Sequence, residues 1–385
     1  MRFLLVMLLV ACGNRVALAP KTPAVPVETP ARDLAAAKLA APTGDRRSLA
    51  KDPRVVDLDI IRITANGSEM TSVATADEFK KANEAAKAGR TDEALGIYRS
   101  IVQQFPESQF APVSLFNIAA IFDGRGDPRQ TIATLRQLVT SYPDTRESID
   151  GHLYIAAVQA DHQQWPDALA TLDGILPRAN LTFADRLEAL ARKGYVLLEL
   201  KRYDDADVAL AAAIDEWRKA PHIDDPYYIA MAHYYRGEVA HRRFADAPIR
   251  LPDDQLVADL EQKRVYAVAA YDQWKETLRF HHAYWATASG YQMSQIFVEL
   301  WQATVTAPYP DKVQAPSRAR YITEVHERVR EHLAKALEGH RMNVELAKAF
   351  GVDTDWSKGS EQQAAKIMEM IAKDSSGDYL TPPNP

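Results

Sequence analysis

Among 385 residues there is 1 cysteine, Cys12, and only 16 glycines. A lone cysteine excludes any disulfide within the chain, so stability has to come from packing. Scarce glycine removes most phosphate-cradling loops, and no phosphate-binding loop, dinucleotide fingerprint or nucleophile elbow occurs. Long apolar runs are missing as well. The stretch Phe3 to Val10 falls well short of the roughly 20 residues that a helix needs to cross a bilayer. Nor does one sign of charge dominate: 46 Lys and Arg stand against 52 Asp and Glu, a net charge of -6. That mild acidity, with no long like-charge run, argues against nucleic acid as a partner.

What is present in quantity is Ala, Leu, Arg, Glu and Gln, a composition that favours helices over strands. The chain starts differently. Arg2 and the apolar run lead into Leu9-Val10-Ala11-Cys12, where a small residue directly precedes the cysteine. This is the pattern of a lipobox: residues 1–11 read as a signal peptide, and the freed Cys12 would carry acyl chains into a membrane. Ala17-Leu18-Ala19 offers the rival reading, an ordinary signal cleaved after a small-x-small sequence. One acyl chain anchors a protein only marginally, whereas two or more hold it stably. From Cys12 to residue 75 the sequence is rich in Ala, Thr and charge and is interrupted by Pro20, Pro23, Pro26, Pro30, Pro42 and Pro53, so it reads as a tether. Within it, residues 55–63 alternate Val56, Leu58 and Ile60 with Asp57 and Asp59, a short strand closed by the turn signal Asn66-Gly67. A single strand has to dock, either on the chain's own helices or on a sheet edge of another protein.

The body is repetitive. Gly89, Ala94, Tyr98, Ile101 and Pro106 recur as Gly126, Thr131, Leu135, Leu138 and Pro143, an offset of 37 positions from Gly89 to Gly126. Each block is a helix, a glycine turn, a second helix and a proline stop, and a period of about 34 residues built this way marks a tetratricopeptide repeat. The expected fold is therefore an all-α tetratricopeptide-repeat solenoid of five to six helix pairs over residues 76–305. Alignment on the turns puts Ala82, Ala119, Ala156, Gly194, Gly237 and Gly290 at one place, where the two helices of a unit come closest. Second helices continue with Trp165, Ala168, Leu172 and Ile175, and with Tyr203, Ala206, Leu210 and Ala213. In the fifth unit Pro248 and Pro252 suggest a surface insertion near 244–254, and the sixth first helix, Tyr284 to Trp301, shows no partner. Residues 306–375 should supply capping helices: a long one over Arg318 to Phe350 with the stripe Ile322, Val325, Val329, Leu333 and Leu337, and a shorter one over Glu361 to Lys373. Residues 376–385 read as a disordered tail.

Chemistry is thin. His326-Glu327 opens like a zinc-binding helix, yet the next histidine is His332, and six residues at about 100° each put the two rings on different sides. His281-His282 point apart on any helix. No metal or cofactor is called for. Arg125-Gly126-Asp127 matches an integrin-binding tripeptide, but Gly126 is already accounted for as a turn glycine. Repeats of this type bind along the face of their first helices. The fifth aligned position there carries Phe79, Phe116, Leu153, Ala191, Tyr234 and Thr287, and the ninth carries Asn83, Ala120, Ala157, Tyr195, Glu238 and Tyr291. The candidate groove is Phe79, Asn83, Phe116, Tyr195, Tyr234, Glu238, His241 and Tyr291, since tyrosine combines large contact area with a polar tip. The competing role for these aromatics is packing between repeats, and a competing function for Tyr234, Glu238 and His241 is an envelope enzyme or small-ligand module.

The lipobox, the proline-rich tether and the endings Phe105-Pro106-Glu107-Ser108 and Tyr142-Pro143-Asp144-Thr145 together resemble bacterial outer-membrane tetratricopeptide lipoproteins. That family includes the lipoprotein subunit of the β-barrel assembly machine and the periplasmic coordinator of cell-envelope constriction, and the likeness covers residues 77–215. It implies three acyl chains on Cys12. Because Gly13, not aspartate, follows the cysteine, it also implies the periplasmic side of the outer membrane. The expected protein is a non-catalytic scaffold whose partners are envelope proteins or peptides, with the membrane engaged through acylated Cys12. Barrel assembly, division, motility and secretion all stay open as the process it serves.

Overall fold

The computed structural model describes residues 61–66, 69–220 and 222–382. They fall into two compact units that meet in sequence at Arg192 and Lys193. Cys12, the signal peptide and most of the tether lie outside the described residues.

The N-terminal unit opens with an antiparallel hairpin, β1 (Ile61–Asn66) and β2 (Glu69–Ala74), paired from Ile61 with Ala74 to Asn66 with Glu69. Of the strand expected over 55–63, residues 61–63 are extended in β1, and residues 55–60 lie outside the described residues. Within the chain, β1 pairs with the segment that follows it. Only two residues separate the paired strands, which makes that pairing cheap to close. Among the described residues the hairpin is the sole departure from an all-α fold. Helix pairs follow: α1 (Thr75–Lys87) with α2 (Thr91–Gln104), α3 (Phe110–Gly124) with α4 (Pro128–Ser141), and α5 (Arg146–Asp161) with α6 (Trp165–Ile175), before α7 (Phe183–Glu199), which continues into the second unit.

The repeated residues perform repeated tasks. Ala94, Tyr98 and Ile101 on α2 and Thr131, Leu135 and Leu138 on α4 are all buried, forming the inner stripe of each second helix. Prolines stop the helices as expected. The Tyr142 hydroxyl donates to the carbonyl of Pro106 at 3.0 Å, and Arg178 donates to that of Pro143, so each ending is tied to the one before it. Gly89 (φ +75°) and Gly126 (φ +71°) make the turns, the second flanked by Asp127, whose carboxylate caps α4 at the Gln130 amide. Arg125-Gly126-Asp127 is thereby committed to a turn, with Arg125 reaching back to Thr91 and Asp92.

The next two turns keep this left-handed geometry without glycine, on Gln163 (φ 57°) and Lys201 (φ 59°). The amide two residues after the last helical turn returns to the same carbonyl in each: Gln164 to Gln159 at 2.8 Å and Arg202 to Leu197 at 2.9 Å. Side chains in that region carry a steric penalty that glycine escapes. Lys201→Gly is therefore expected to raise stability by about 1 kcal/mol, read as a higher denaturant midpoint at unchanged slope.

In the C-terminal unit, α8 (Tyr203–Lys219) packs on α9 (Tyr227–Asp246), and α9 on α10 (Asp253–Thr277). The insertion expected near 244–254 is corrected: α9 runs on to Asp246, α10 begins at Asp253, and the extra residues lengthen the helices. Pro252 sits just before α10, where proline is compatible with a helix start, so it marks a beginning instead of a break. The linker is packed, not free, because Ile249 joins Leu256, Leu260 and Ala307 in a small apolar cluster.

Helix α11 (Ala283–Val305), which the sequence left unpartnered, pairs with the long α12 (Arg318–Phe350), and α13 (Asp355–Ser376) packs on both. Val329 and Leu333 on α12 are fully buried between Val298 and Trp301 of α11 and Ile367 of α13. The long helix is thus a middle element, and α13 forms the outer layer. Beyond it, the expectation of disorder over 376–385 fails for the residues described, which reach 382. The Tyr379 ring lies 4.4 Å from the buried His326 ring, and His326 Nε2 donates to the Leu380 carbonyl at 2.8 Å while Nδ1 meets Asp374.

The three glycines of the close-approach set behave as the alignment requires. An added Cβ would lie 2.3 Å from Leu210 at Gly194, 2.4 Å from Trp274 at Gly237 and 2.2 Å from Asn343 at Gly290. Each obstructing residue belongs to the second helix of its own pair. The all-α tetratricopeptide-repeat class read from the sequence is the class observed.

Candidate functional site

Most of the predicted groove residues turn out to be interior. In the N-terminal unit, Phe79 is 4% exposed and packs its ring against Tyr98 and Phe110, and Phe116, 7% exposed, packs against Tyr154. Asn83 is half-buried and accepts from the Tyr98 hydroxyl at 2.5 Å, while Asn117 donates to that hydroxyl at 3.3 Å. A polar thread between two first helices and one second helix takes the place of a binding contact. Further along this unit, Arg146 bridges Asp150 and Asp185. Burial lifts Asp150 to about 6 against the pull of Arg146, with Asp185 and Glu188 adding to the lift.

In the C-terminal unit the aromatics form one continuous stack. Tyr195 lies 4.6 Å from Tyr235, Tyr234 packs on Trp285 at 5.1 Å and on Trp356 at 6.2 Å, and Tyr291 packs on Trp356 at 5.3 Å. Tyr195, Tyr234 and Tyr291 are buried, and burial raises the Tyr234 hydroxyl well above its ordinary value. Gln292 donates to the Tyr234 oxygen at 3.4 Å and Gln363 to that of Tyr291 at 3.2 Å. As open contacts for a ligand, Phe79, Phe116, Tyr195, Tyr234 and Tyr291 are therefore corrected: they pack repeat on repeat. The reason is geometric, since the fifth and ninth positions of a first helix face the first helix of the neighbouring unit as well as the groove. Large side chains there are covered by that neighbour. Trp285 and Trp356, which carry much of the stack, lacked any marker in the repeat alignment.

Glu238 and His241 differ, because they lead out of the stack into charge. His241 Nε2 donates to Glu299 of α11 at 2.6 Å, and its Nδ1 lies 3.8 Å from Glu238. Burial pushes the imidazole down, but Glu299 and Glu238 outweigh it and raise His241 to about 10, so the ring is a cation at neutral pH. Glu299 is correspondingly held below its ordinary value, burial being overcome by His241 with help from Gln295 and Lys263. Glu199 at the end of α7 is raised, first by burial and further by Glu238, with Arg242 at 4.0 Å opposing. The side chains of Glu199 and Glu299 keep 32% and 28% of their exposure, and that of Arg242 keeps 52%. This is a charged, part-open patch made by α7, α9 and α11. Glu199, Arg242, Gln295 and Glu299 were missed by the alignment because it stopped at the ninth position, and Glu299 is 58 residues from His241.

Among the described residues no three His, Cys, Asp or Glu side chains come together as a metal site, and no helix is long and apolar enough to cross a membrane. Paired helices with a small residue at each close approach and a left-handed turn between them make an all-α solenoid of the tetratricopeptide-repeat type. Comparison with known sequences agrees: the profile of tetratricopeptide repeat-like domains matches residues 66–224. No curated protein matches the chain. Among solved structures it is similar to a tetratricopeptide repeat protein from Parabacteroides merdae, at 11% identity and a TM-score of 0.36, covering 76% of this chain and 98% of that one. The C-terminal part of a repeat-containing protein from Cytophaga hutchinsonii gives 10% identity and a TM-score of 0.41, over 78% and 100% of the two chains. Apo RapI gives 11% and 0.41, over 78% and 99%.

Proposed function

We propose that this chain is a non-catalytic, lipid-anchored scaffold that holds envelope proteins or peptides on the face of its first helices, at the periplasmic side of the outer membrane. Binding is supported above all by the part-open patch of Glu199, His241, Arg242 and Glu299, which remains on that face after the aromatics have been taken up in packing. Anchoring is supported by Leu9-Val10-Ala11-Cys12 and the proline-rich stretch behind it. Mechanistically, the anchor confines the binding face to a thin layer and the tether sets its reach, so a weak contact acts at high effective concentration. The envelope process served, whether barrel assembly, division, secretion or motility, follows from the partner.

Cys12→Ser decides the anchor. The expected result is transfer of the protein from the membrane pellet to the soluble fraction, with loss of the acyl mass from the mature N-terminus. A variant that stays in the pellet at unchanged mass overturns lipid anchoring. Cross-linking in native envelopes followed by mass spectrometry decides the scaffold role, with specific protein partners expected and their absence refuting it.

A further inference from the structure

A part-open cavity of about 320 Å³ is walled by the start of α8, the end of α9, the linker that follows it and α10. That volume stands at the lower end of the range for clefts that hold ligands. Tyr203 of α8 and Tyr266 of α10 both line it, and Ala247 and Pro248 of the linker add apolar surface. Its charges do not balance. Arg243 is met by Asp204, and Arg250 donates to both oxygens of Asp259 at 2.9 and 2.7 Å. Asp246 in the wall has no cation within ion-pair distance among the described residues, and it accepts from the Tyr203 hydroxyl at 3.0 Å. The Tyr266 hydroxyl and the Gln262 side-chain amide also line the cavity, and neither has a hydrogen-bond partner among the described residues.

Aromatic faces, free donors and a carboxylate short of a cation suit a proline-rich strand. Polyproline geometry has no internal hydrogen bonds, so its carbonyls take donors from a receptor while its rings pack on aromatic side chains. The chain itself carries such a segment. In Pro20-Lys21-Thr22-Pro23-Ala24-Val25-Pro26 the prolines stand three apart, and at three residues per turn they share one edge, with Lys21 beside them. The segment lies outside the described residues. Cleavage before Cys12 or after Ala19 leaves it in the mature chain, so its presence does not depend on the lipid. The 34 residues from Val27 to Ile60 join it to β1. Fully extended they cover about 110 Å, so the segment is not confined to the neighbourhood of β1.

We propose that this cavity is the receptor for the chain's own proline-rich segment, residues 20–26, with its proline edge against Tyr203 and Tyr266 and Lys21 paired with Asp246. Tyr266 and Gln262 donate to carbonyls of the segment. Docking folds the tether back on the C-terminal unit, and on the scaffold reading it shortens the tether's reach.

Fluorescence anisotropy on the full chain in mild detergent tests this with a labelled peptide of residues 19–28. Two hosts are compared: the wild type, and a chain carrying Pro20→Ala, Pro23→Ala and Pro26→Ala, which lacks the internal competitor. The peptide is expected to bind the substituted chain at least tenfold more tightly than the wild type. In that substituted chain, Tyr266→Ala and Asp246→Asn should each weaken binding at least fivefold, whereas Val268→Ala, exposed on α10 outside the cavity, should not. A peptide with its prolines replaced by alanine, or with Lys21→Glu, should bind poorly. Asp246 is exposed, so its variant stays informative even if Tyr266→Ala fails to fold, which circular dichroism reports. Equal binding to both hosts, no binding to either, undiminished binding in folded Asp246→Asn, or equal binding of the alanine peptide overturns the receptor. The scaffold reading fails separately, if the wild-type chain captures no envelope protein.

Discussion

Gly237→Ala is expected to destabilise the C-terminal unit by about 1 to 3 kcal/mol, and Gly237→Val by more, because a methyl group there has nowhere to go. Its Cβ would sit 2.4 Å from Trp274 Nε1 and 2.6 Å from Cδ1. Trp274 is 0% exposed and lies edge-on to His241, so the indole cannot swing out. Relief must come from separating α9 and α10, which opens the packing of both. Urea unfolding measures the loss. A double-mutant cycle with Trp274→Leu locates it: Trp274→Leu is destabilising alone, but the pair should cost less than the sum of the singles, since shrinking the indole makes room for the methyl. Gly174→Ala is the contrast. Nothing lies within 4 Å of a Cβ there, so alanine should stabilise α6 by roughly 0.5 to 1 kcal/mol through helix propensity. If both alanines behave alike, close approach is not why the position is small.

The second large effect is with acid. His340 on α12 is 0% exposed, shares a 3.2 Å hydrogen bond between Nδ1 and the Ser360 hydroxyl, and has no partner at Nε2. Burial lowers it to about 4, so the folded protein holds it neutral. The unfolded chain titrates near the ordinary histidine value of about 6.5. A lowered folded value contributes stability that is present above about 6.5 and is lost as pH falls through about 4, because the unfolded state takes up the proton first. The full loss is on the order of 3 kcal/mol. His152, His233 and His332 are also lowered, chiefly by burial, and act in the same direction. The measurement is therefore a difference: unfolding free energies at pH 7.5, 5.5 and 4.5 for the wild type and His340→Gln, with a smaller decline expected in the variant. An equal decline in both would assign the acid sensitivity to the other histidines. His241 works the other way, since its raised value makes its contribution present below about 6.5 and lost on the approach to about 10.

Both effects concern positions of unequal visibility. Gly237 was legible because the repeat returns a small residue at the same register six times, and a spacing rule survives without knowledge of neighbours. The long helix was legible end to end, since the stripe Ile322, Val325, Val329, Leu333 and Leu337 recurs at helical spacing over the span observed. His340 was not, as nothing near it in sequence shows that α13 brings Ser360 against its ring. The hairpin was half legible: Asn66-Gly67 announced a turn, but Glu69 to Ala74 has none of the alternation that marked the preceding segment.

The groove shows the same division. Counting along first helices selected the residues that face inward, yet could not tell inward toward a neighbour from inward toward a ligand. Tyr195, Tyr234 and Tyr291 went to the neighbour because aromatic surface gains most from burial, and the adjacent helix supplies it. Glu238 and His241 went to a charged patch completed by Glu299 from another pair.

By itself the sequence determined the helix pairs, their turns and stops, and the close-approach glycines. These are local or periodic properties, set by backbone geometry and by which residues can face a neighbour one repeat away. Only the tertiary structure decided which inward side chains are consumed in packing and where α12 and α13 lie. Those depend on partners dozens of residues distant, and no spacing rule reaches that far.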